Sequence, residues 1–220
     1  MKARVLKSIL VDLDGTLADS LPELFNFYQT FLRRYQCLGS QAEFQQLNGA
    51  TILEVVQHLK QKYRLPESIE NLYAAYQDGI ARGYAQHIKL FPGAKDVLQH
   101  LFDRGLTLAI VTSAKRPLLE AFLKNHQLSH LFTFTCTGEE ISKGKPNPEI
   151  YEKAFQHLTC AKENVCVVED SSNGIQAALL AGFHVLALNS AFPAHPEVTK
   201  VLNWNEIEAQ LQKYYELSDL

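Results

Sequence analysis

Two aspartates, Asp12 and Asp14, follow an apolar run near the start of the chain, and their type and spacing suit catalysis. The run covers residues 5–11, and Gly15 and Thr16 come directly after the second aspartate. Because side chains alternate along a strand, the two carboxylates share one face if the backbone stays extended. Two acids at the carboxyl end of a buried strand indicate acid/base work, a carboxylate nucleophile or a hard metal ion. A surface turn is the alternative, since Asp-Gly is a common turn pair.

Hydroxyl groups and a lysine stand after later apolar runs. Thr112 and Ser113 follow residues 106–111, where hydroxyls and free backbone N–H groups can hold a phosphate or cap a helix. Lys145 precedes Pro146, and a proline keeps the residue before it out of the helical region. A lysine fixed in this way would neutralise phosphate charge and nearby carboxylates, whereas an ordinary loop lysine is solvated.

A pair of acids, Glu169 and Asp170, ends the apolar run at residues 165–168. Two adjacent carboxylates at the end of a buried strand are costly unless a cation or several donors meet them. Mg²⁺ takes a few carboxylates and keeps water ligands, so it is a natural partner. The alternative is a helix start, with Asp170 or Ser171 as the cap.

Apolar runs alternate with helical stripes over most of the chain. The strand-like runs are residues 5–11, 106–111, 132–136, 165–168 and 184–188. Amphipathic stripes lie between them at residues 97–102, 118–123 and 150–158. This alternation predicts an α/β fold, a doubly wound parallel sheet with helices on both faces and ligands at the carboxyl ends of its strands.

Residues 17–88 interrupt this alternation. They contain three stretches of helical spacing, at residues 21–35, 52–63 and 72–80, and no strand-like run. Ser20 and Glu23 have the spacing of a capping box at the first of these helices. We therefore expect an all-helical cap over 17–88, inserted into a catalytic core formed by 1–16 and 89–220.

Composition limits the classes of partner. The chain has 220 residues, 46% of them hydrophobic, and a formal net charge of −3, so it shows no basic bias towards nucleic acid. No apolar run reaches the roughly 18 residues that span a bilayer. The four cysteines show no metal-binding spacing, which is typical of free thiols in a reducing cytoplasm. Nothing in the pattern indicates an oligomeric state.

The four sites together resemble the four motifs of the haloacid dehalogenase superfamily, in order and each at a strand end. The first, Asp12-Leu13-Asp14-Gly15-Thr16, is similar to the Asp-x-Asp-x-Thr of its phosphotransferase members. Thr112, Lys145-Pro146 and Glu169-Asp170 are similar to the other three. The resemblance covers nearly the whole chain and is closest to members with a helical cap, such as phosphoglycolate phosphatases, sugar phosphatases and β-phosphoglucomutase.

The resemblance implies a Rossmann-like core and Mg²⁺-dependent hydrolysis of a small phosphate monoester, such as phosphoglycolate or a sugar phosphate, through an aspartyl-phosphate. Asp12 would be the nucleophile and Asp14 the general acid and base. The implied metal ligands are Asp12, the Asp14 carbonyl and Asp170, with Glu169 close by. The implied phosphoryl-binding residues are Thr112, Ser113 and Lys145.

Three alternatives to a phosphatase remain open. A dehalogenase does not need the second aspartate, which is present here. The cap loop of the mutase resembles residues 47–52, but it carries a lysine at the position of Asn48 and an arginine at that of Ile52. Those cations hold a second phosphate in the mutase, so their absence here favours a phosphatase. By the same resemblance, Asn48 and Gly49 are expected to lie close to the substrate. A scaffold without turnover is less favoured, because no catalytic position is missing.

Overall fold

The computed structural model describes residues 4–216, and only the backbone of residues 82–87. The strands in chain order are β1 (Arg4–Val5), β2 (Ser8–Val11), β3 (Ala18–Asp19), β4 (Lys89–Leu90), β5 (Thr107–Val111), β6 (Phe134–Cys136), β7 (Val165–Glu169), β8 (His184–Leu188), β9 (Val198–Val201) and β10 (Tyr215–Glu216). The α-helices are α1 (Leu21–Arg33), α2 (Gln41–Leu47), α3 (Ile52–Tyr63), α4 (Ile69–His87), α5 (Ala94–Asp103), α6 (Arg116–Asn125), α7 (Glu149–Phe155), α8 (Ser172–Leu180) and α9 (Asn205–Tyr214). None of these helices is both long and apolar enough to cross a bilayer.

The central sheet has the strand order β6-β5-β2-β7-β8-β9, and all of its neighbouring strands are parallel. Val11, the last residue of β2, pairs with Ile110 of β5 and with Val168 of β7. The three strands therefore end at the same level. This register brings together the residues that follow them, at the point where the chain order reverses and α/β sheets bind ligands.

Helices cover both faces of the sheet. Ile9 and Val11 pack into an apolar cluster with α5, α6 and α9, whereas Leu10 packs on the opposite side with α7 and α8. Every residue of β2, β7 and β8 is buried, which explains why these strands appear in the sequence as continuous apolar runs. The predicted doubly wound α/β fold is confirmed.

Several elements differ from the sequence prediction, among them the following. The run at residues 5–11 is divided between two sheets: β1 pairs with β10, where Leu6 donates its N–H to the Glu216 carbonyl, and β2 joins the central sheet. The edge strand β9 was not predicted, since its sequence, Val-Thr-Lys-Val, is half polar and only its last residue is buried. The short helix α2 was not predicted either, because four of its seven residues are glutamine or glutamate.

The segment between β3 and β4, here called the cap, carries α1 to α4 on a short antiparallel stem formed by these two strands. The stem pairs Ala18 with Leu90 and Asp19 with Lys89. The cap has its own apolar cluster, separate from those of the sheet, and its buried members are Tyr28, Phe31, Leu32, Val56, Leu59, Leu65, Leu72 and Tyr76. Its helices therefore pack against one another as well as against the core.

Candidate active site

Lys145 lies at the centre of the site and is fully buried. Its Nζ donates hydrogen bonds to Asp12 Oδ1 at 2.6 Å and to Glu169 Oε1 at 2.5 Å. A third bond reaches the Val111 carbonyl at the end of β5, at 3.3 Å. Burial alone would lower the pKa of Lys145, but the two carboxylates outweigh it and hold that pKa well above its ordinary value. The lysine is therefore a fixed cation and not a solvated loop residue.

Glu169 ends β7 with both carboxylate oxygens engaged. Oε1 accepts from Lys145 and from the Tyr151 hydroxyl, the latter at 3.3 Å. Oε2 accepts from the backbone N–H of Ser171 at 2.9 Å and from its hydroxyl at 3.0 Å. A Cβ at Gly174 would lie 1.7 Å from Oε1, so only glycine fits where α8 passes this carboxylate. These contacts orient Glu169 towards Lys145.

Asp170, the next residue, is held by donors from two directions. Its Oδ1 accepts from the Thr16 hydroxyl at 2.8 Å, and its Oδ2 from the Asn48 amide of the cap at 3.3 Å. Gly15 has a φ of +85°, and a Cβ there would lie 2.4 Å from Asp170 Oδ2. Burial and the charge of Glu169 raise the pKa of Asp170 to about 8. The ionised form of Asp170 is therefore disfavoured in this site unless a cation balances its charge.

Asp12, Glu169 and Asp170 form an acidic cluster in which one oxygen of each lies within 4.8 Å of the others. Burial and the two neighbouring acids raise the pKa of Asp12 well above its ordinary value, although Lys145 acts in the opposite direction. Lys145 is the ammonium that this cluster contacts among the described residues, so one positive charge meets three carboxylates. A divalent cation with oxygen ligands would balance the remaining charge, and the residues present therefore fit Mg²⁺.

Asp14 lies in the turn between β2 and the cap stem. Its Oδ1 accepts a hydrogen bond from the Ser20 hydroxyl at 2.6 Å, and its backbone forms a bridge with Ala18. The predicted capping box of Ser20 and Glu23 is wrong, since Ser20 makes no side-chain cap bond at α1. The buried Ser20 hydroxyl instead fixes the Asp14 carboxylate at the wall of the site.

Thr112 and Ser113 follow β5 next to Asp12. Thr112 is buried, and its Oγ1 accepts from the Ala114 N–H at 3.0 Å, so it shapes the turn into α6. The Ser113 hydroxyl donates to the Gly49 carbonyl of the cap at 2.6 Å. The hydroxyls predicted to meet a phosphate therefore lie at the junction of core and cap.

The cap loop that contains Asn48 and Gly49 lies directly over the acidic cluster. Asn173 of the core donates its amide to the Asn48 carbonyl at 2.7 Å. Gly49 has a φ of +86°, and a Cβ there would approach Ser171 Oγ to 3.0 Å. The structure thus brings all the predicted site residues into one region; the role of each stays a prediction.

A cavity of about 100 Å³ separates the two parts of this region. Asp12, Asp14, Thr112 and Ser113 line it from the core, and residues of α1 to α4 line it from the cap. Arg33, Arg34 and Arg64 are exposed and lie outside its lining. The Arg82 side chain is outside the described residues.

Several site residues were not singled out from the sequence as functional. Glu54 accepts from the Gly144 N–H at 3.0 Å, directly before Lys145, and it forms a capping box with Thr51. The Thr-x-x-Glu spacing could have marked this helix start, but not the contact between the cap and the loop that carries Lys145. Tyr151 belongs to the apolar stripe of α7, so the sequence indicated only a packing role for it. Trp204 donates its indole N–H to the Thr16 carbonyl at 2.8 Å. No motif or spacing in the sequence marked it as part of the site.

The fold and this arrangement of acids define a class of hydrolase. A family model described as haloacid dehalogenase-like hydrolase matches residues 9–188. The chain belongs to this family, and the superfamily predicted from the four motifs is confirmed.

Particular relatives agree with this assignment. A phosphoglycolate phosphatase of Aliivibrio fischeri is 33% identical over 85% of this chain and 86% of its own. Hexitol phosphatase A of Escherichia coli is 32% identical over 84% of this chain and 83% of its own. The crystal structure of CbbY from Rhodobacter sphaeroides in complex with phosphate superposes with a TM-score of 0.79, at 23% identity, over 92% of this chain and 96% of that one. This last similarity concerns the fold.

Proposed function

We propose that this protein is a phosphatase that hydrolyses a small phosphate monoester, with Asp12 as the nucleophile. The observation that carries the proposal is the Asp12 carboxylate, which ends a buried strand, lines the cavity and lies 2.6 Å from the Lys145 ammonium. Phosphoryl transfer needs alignment and charge neutralisation more than covalent chemistry from the protein. A fixed nucleophile beside a fixed cation supplies both.

The proposed reaction has two steps. An Asp12 oxygen attacks phosphorus, the bond from phosphorus to the alcohol oxygen breaks, and Asp14 gives its proton to that oxygen. Asp14 then takes a proton from a water molecule, whose oxygen attacks the phosphorus of the aspartyl-phosphate and releases phosphate and free Asp12. The two aspartates must differ in protonation, and their surroundings differ: Asp12 meets Lys145, whereas Asp14 meets the Ser20 hydroxyl.

The residues that would hold Mg²⁺ are Asp12, Asp170 and the Asp14 carbonyl, with Glu169 close by. The ion, when bound, would offset charge on the phosphoryl group. Lys145 would neutralise charge on the phosphoryl oxygens, and Thr112 and Ser113 would hold these oxygens at the end of β5. Glu169 contributes by fixing Lys145.

The proposal assigns the catalytic residues to a core of residues 1–16 and 89–220, and substrate selection to the cap, residues 17–88. Relatives named as phosphatases of phosphoglycolate and of hexitol phosphates support a small phosphorylated substrate. A sugar-phosphate mutase is not favoured, because among the described residues no lysine or arginine of the cap lines the cavity to hold a second phosphate.

A phosphate-release assay with Mg²⁺ and a panel of phosphorylated metabolites tests the proposal. We expect release from at least one monoester, and none from the matched Asp12→Asn protein. Isomerisation of a sugar phosphate without net release would indicate a mutase. Neither activity across the panel would indicate a scaffold.

A further inference from the structure

The cap side of the cavity is apolar. The apolar and aromatic side chains that line it from the cap are Leu24, Tyr28, Phe44, Leu47, Ile52, Val55, Tyr76 and Ile80. Ala114 and Leu118 continue this surface from the core. Among the described residues, the lining contains no lysine, arginine or histidine. The charged part of the site is therefore confined to the end where Asp12 lies.

Most polar groups of the lining already have partners. The Tyr28 hydroxyl donates to Glu43 Oε2 at 2.6 Å, behind the cavity wall. The Asn48 amide donates to Asp170, and the Ser113 hydroxyl donates to the Gly49 carbonyl. A leaving group with several hydroxyls, or with a carboxylate, would bury polar atoms that find few partners here. Such burial is unfavourable, and most unfavourable for a charge.

Tyr76 is the exception on the cap wall. The residue is 5% exposed, and its hydroxyl makes no hydrogen bond within the described part of the chain. The rings of Phe27 and Phe31 hold the tyrosine ring edge-on, each at a centroid distance of 4.9 Å. The hydroxyl of this fixed ring lines the cavity without a hydrogen-bond partner among the described residues, so it can bond one polar atom of a ligand.

We infer that the preferred substrate is the phosphate monoester of a small, uncharged and largely apolar alcohol, aromatic or branched, with at most one polar group to meet Tyr76. The inference rests on the proposed function and specifies its substrate class. The apolar wall would bury the leaving group, and the cavity of about 100 Å³ suits a small one. Phosphoglycolate and hexitol phosphates would be poor substrates.

The first test compares benzyl phosphate with phosphoglycolate and sorbitol 6-phosphate, as kcat/KM for phosphate release with Mg²⁺. We expect benzyl phosphate to exceed both by at least about 100-fold, equivalent to roughly 2.8 kcal/mol. A ratio below tenfold, or a reversed ratio, would overturn the inference while leaving a phosphatase.

A binding measurement separates this inference from the proposed function. Calorimetry should show that benzylphosphonate binds at least about tenfold more tightly than phosphonoacetate, whether or not the protein turns over esters. If this preference holds but no ester is hydrolysed, the proposed function fails and the inferred character of the pocket stands. Equal or reversed affinities would contradict the apolar pocket.

Two variants with matched controls locate the preference in the cap. Val55→Arg places a cation in the lining, so it should raise kcat/KM for phosphoglycolate at least about tenfold and lower that for benzyl phosphate. Leu53→Arg is the control, since Leu53 lies on the same helix, is 44% exposed and does not line the cavity. Equal effects of the two substitutions would contradict the inference.

Tyr76→Phe removes only the hydroxyl and keeps the packing of the ring. It should lower kcat/KM for 4-hydroxybenzyl phosphate about tenfold and for benzyl phosphate less than about threefold. Tyr73→Phe on the same helix, outside the lining, should change neither ester. Equal losses on both esters in Tyr76→Phe would show that the hydroxyl does not contact the leaving group.

Discussion

Lys145 Nζ lies 2.6 Å from Asp12 Oδ1, although 133 residues separate the two in the chain. Both side chains are buried: Asp12 follows β2, and Lys145 also bonds the Val111 carbonyl at the end of β5, the strand that pairs with β2. Each therefore depends on the other: the lysine keeps its charge because carboxylates face it, and Asp12 gains a cation despite its burial. The ion pair of Lys145 and Asp12 therefore contributes both to the stability of the fold and to the proposed catalysis.

Replacing Lys145 by methionine should destabilise the protein. Two buried carboxylates, Asp12 and Glu169, would lose their ammonium, and breaking a buried pair costs about 3–5 kcal/mol. Chemical denaturation at neutral pH in EDTA measures this loss. Lys143→Met is the matched control, because Lys143 lies in the same loop and is exposed, and its free energy of unfolding should change by less than about 0.5 kcal/mol. Equal stabilities of the two variants would refute the account of the cluster.

Removal of the metal should abolish turnover and spare the fold. We expect exhaustive EDTA treatment to stop phosphate release and Mg²⁺ to restore it. The reason is that the acidic cluster carries more negative charge than the Lys145 ammonium neutralises. Ca²⁺ should bind and support little turnover, since its looser coordination misaligns the attack. Asp170→Asn should raise the Mg²⁺ concentration for half-maximal activity at least about tenfold. Full activity after chelation would rule out this role for the cluster.

Asp14→Asn should separate acid/base catalysis from metal binding. We expect kcat to fall about 10²–10⁴-fold, while Mg²⁺ affinity changes little because the backbone carbonyl remains. Ser20→Ala removes the hydroxyl that orients Asp14 and should cost a smaller factor, about three- to tenfold in kcat. If Mg²⁺ affinity fell as far as turnover in Asp14→Asn, Asp14 would be chiefly a ligand.

Acid should destabilise the cap through Glu43, which is 4% exposed. Burial alone would raise its pKa, but hydrogen bonds from Tyr28, Tyr63 and Lys62 outweigh it and lower the pKa to about 2 from an ordinary value of 4.5. Because the folded-state pKa lies below the unfolded one, this stabilisation is complete above about pH 4.5 and is lost as pH falls towards 2.

Glu43→Gln tests this dependence. The variant should lose about 2–3 kcal/mol of stability at pH 7 and show a shallower fall in unfolding free energy between pH 4.5 and 2. Glu152→Gln, at an exposed position of α7, should keep the native slope. An unchanged slope in Glu43→Gln would exclude this carboxylate as the source of the acid sensitivity.

The sequence predicted the core better than the contacts between core and cap. Strands buried on both faces leave continuous apolar runs, so β2, β7 and β8 could be located, and with β2 and β7 the acids at their ends. The half-polar β9 and the short α2 have no such pattern. The bonds from Ser113 to Gly49 and from Glu54 to Gly144 join distant segments, and only the assembled fold brings these residues together.

The most direct test of the account is to trap the phosphoryl group on Asp12. The enzyme is mixed with ³²P-labelled benzyl phosphate and Mg²⁺, quenched in acid within one turnover, digested and mapped by mass spectrometry. We expect the label on the peptide that contains Asp12, and Asp12→Asn should stay folded, carry no label and lose at least about 10³-fold in turnover. Label on another residue, or an Asp12→Asn protein with near-normal phosphate release, would contradict Asp12 as the nucleophile.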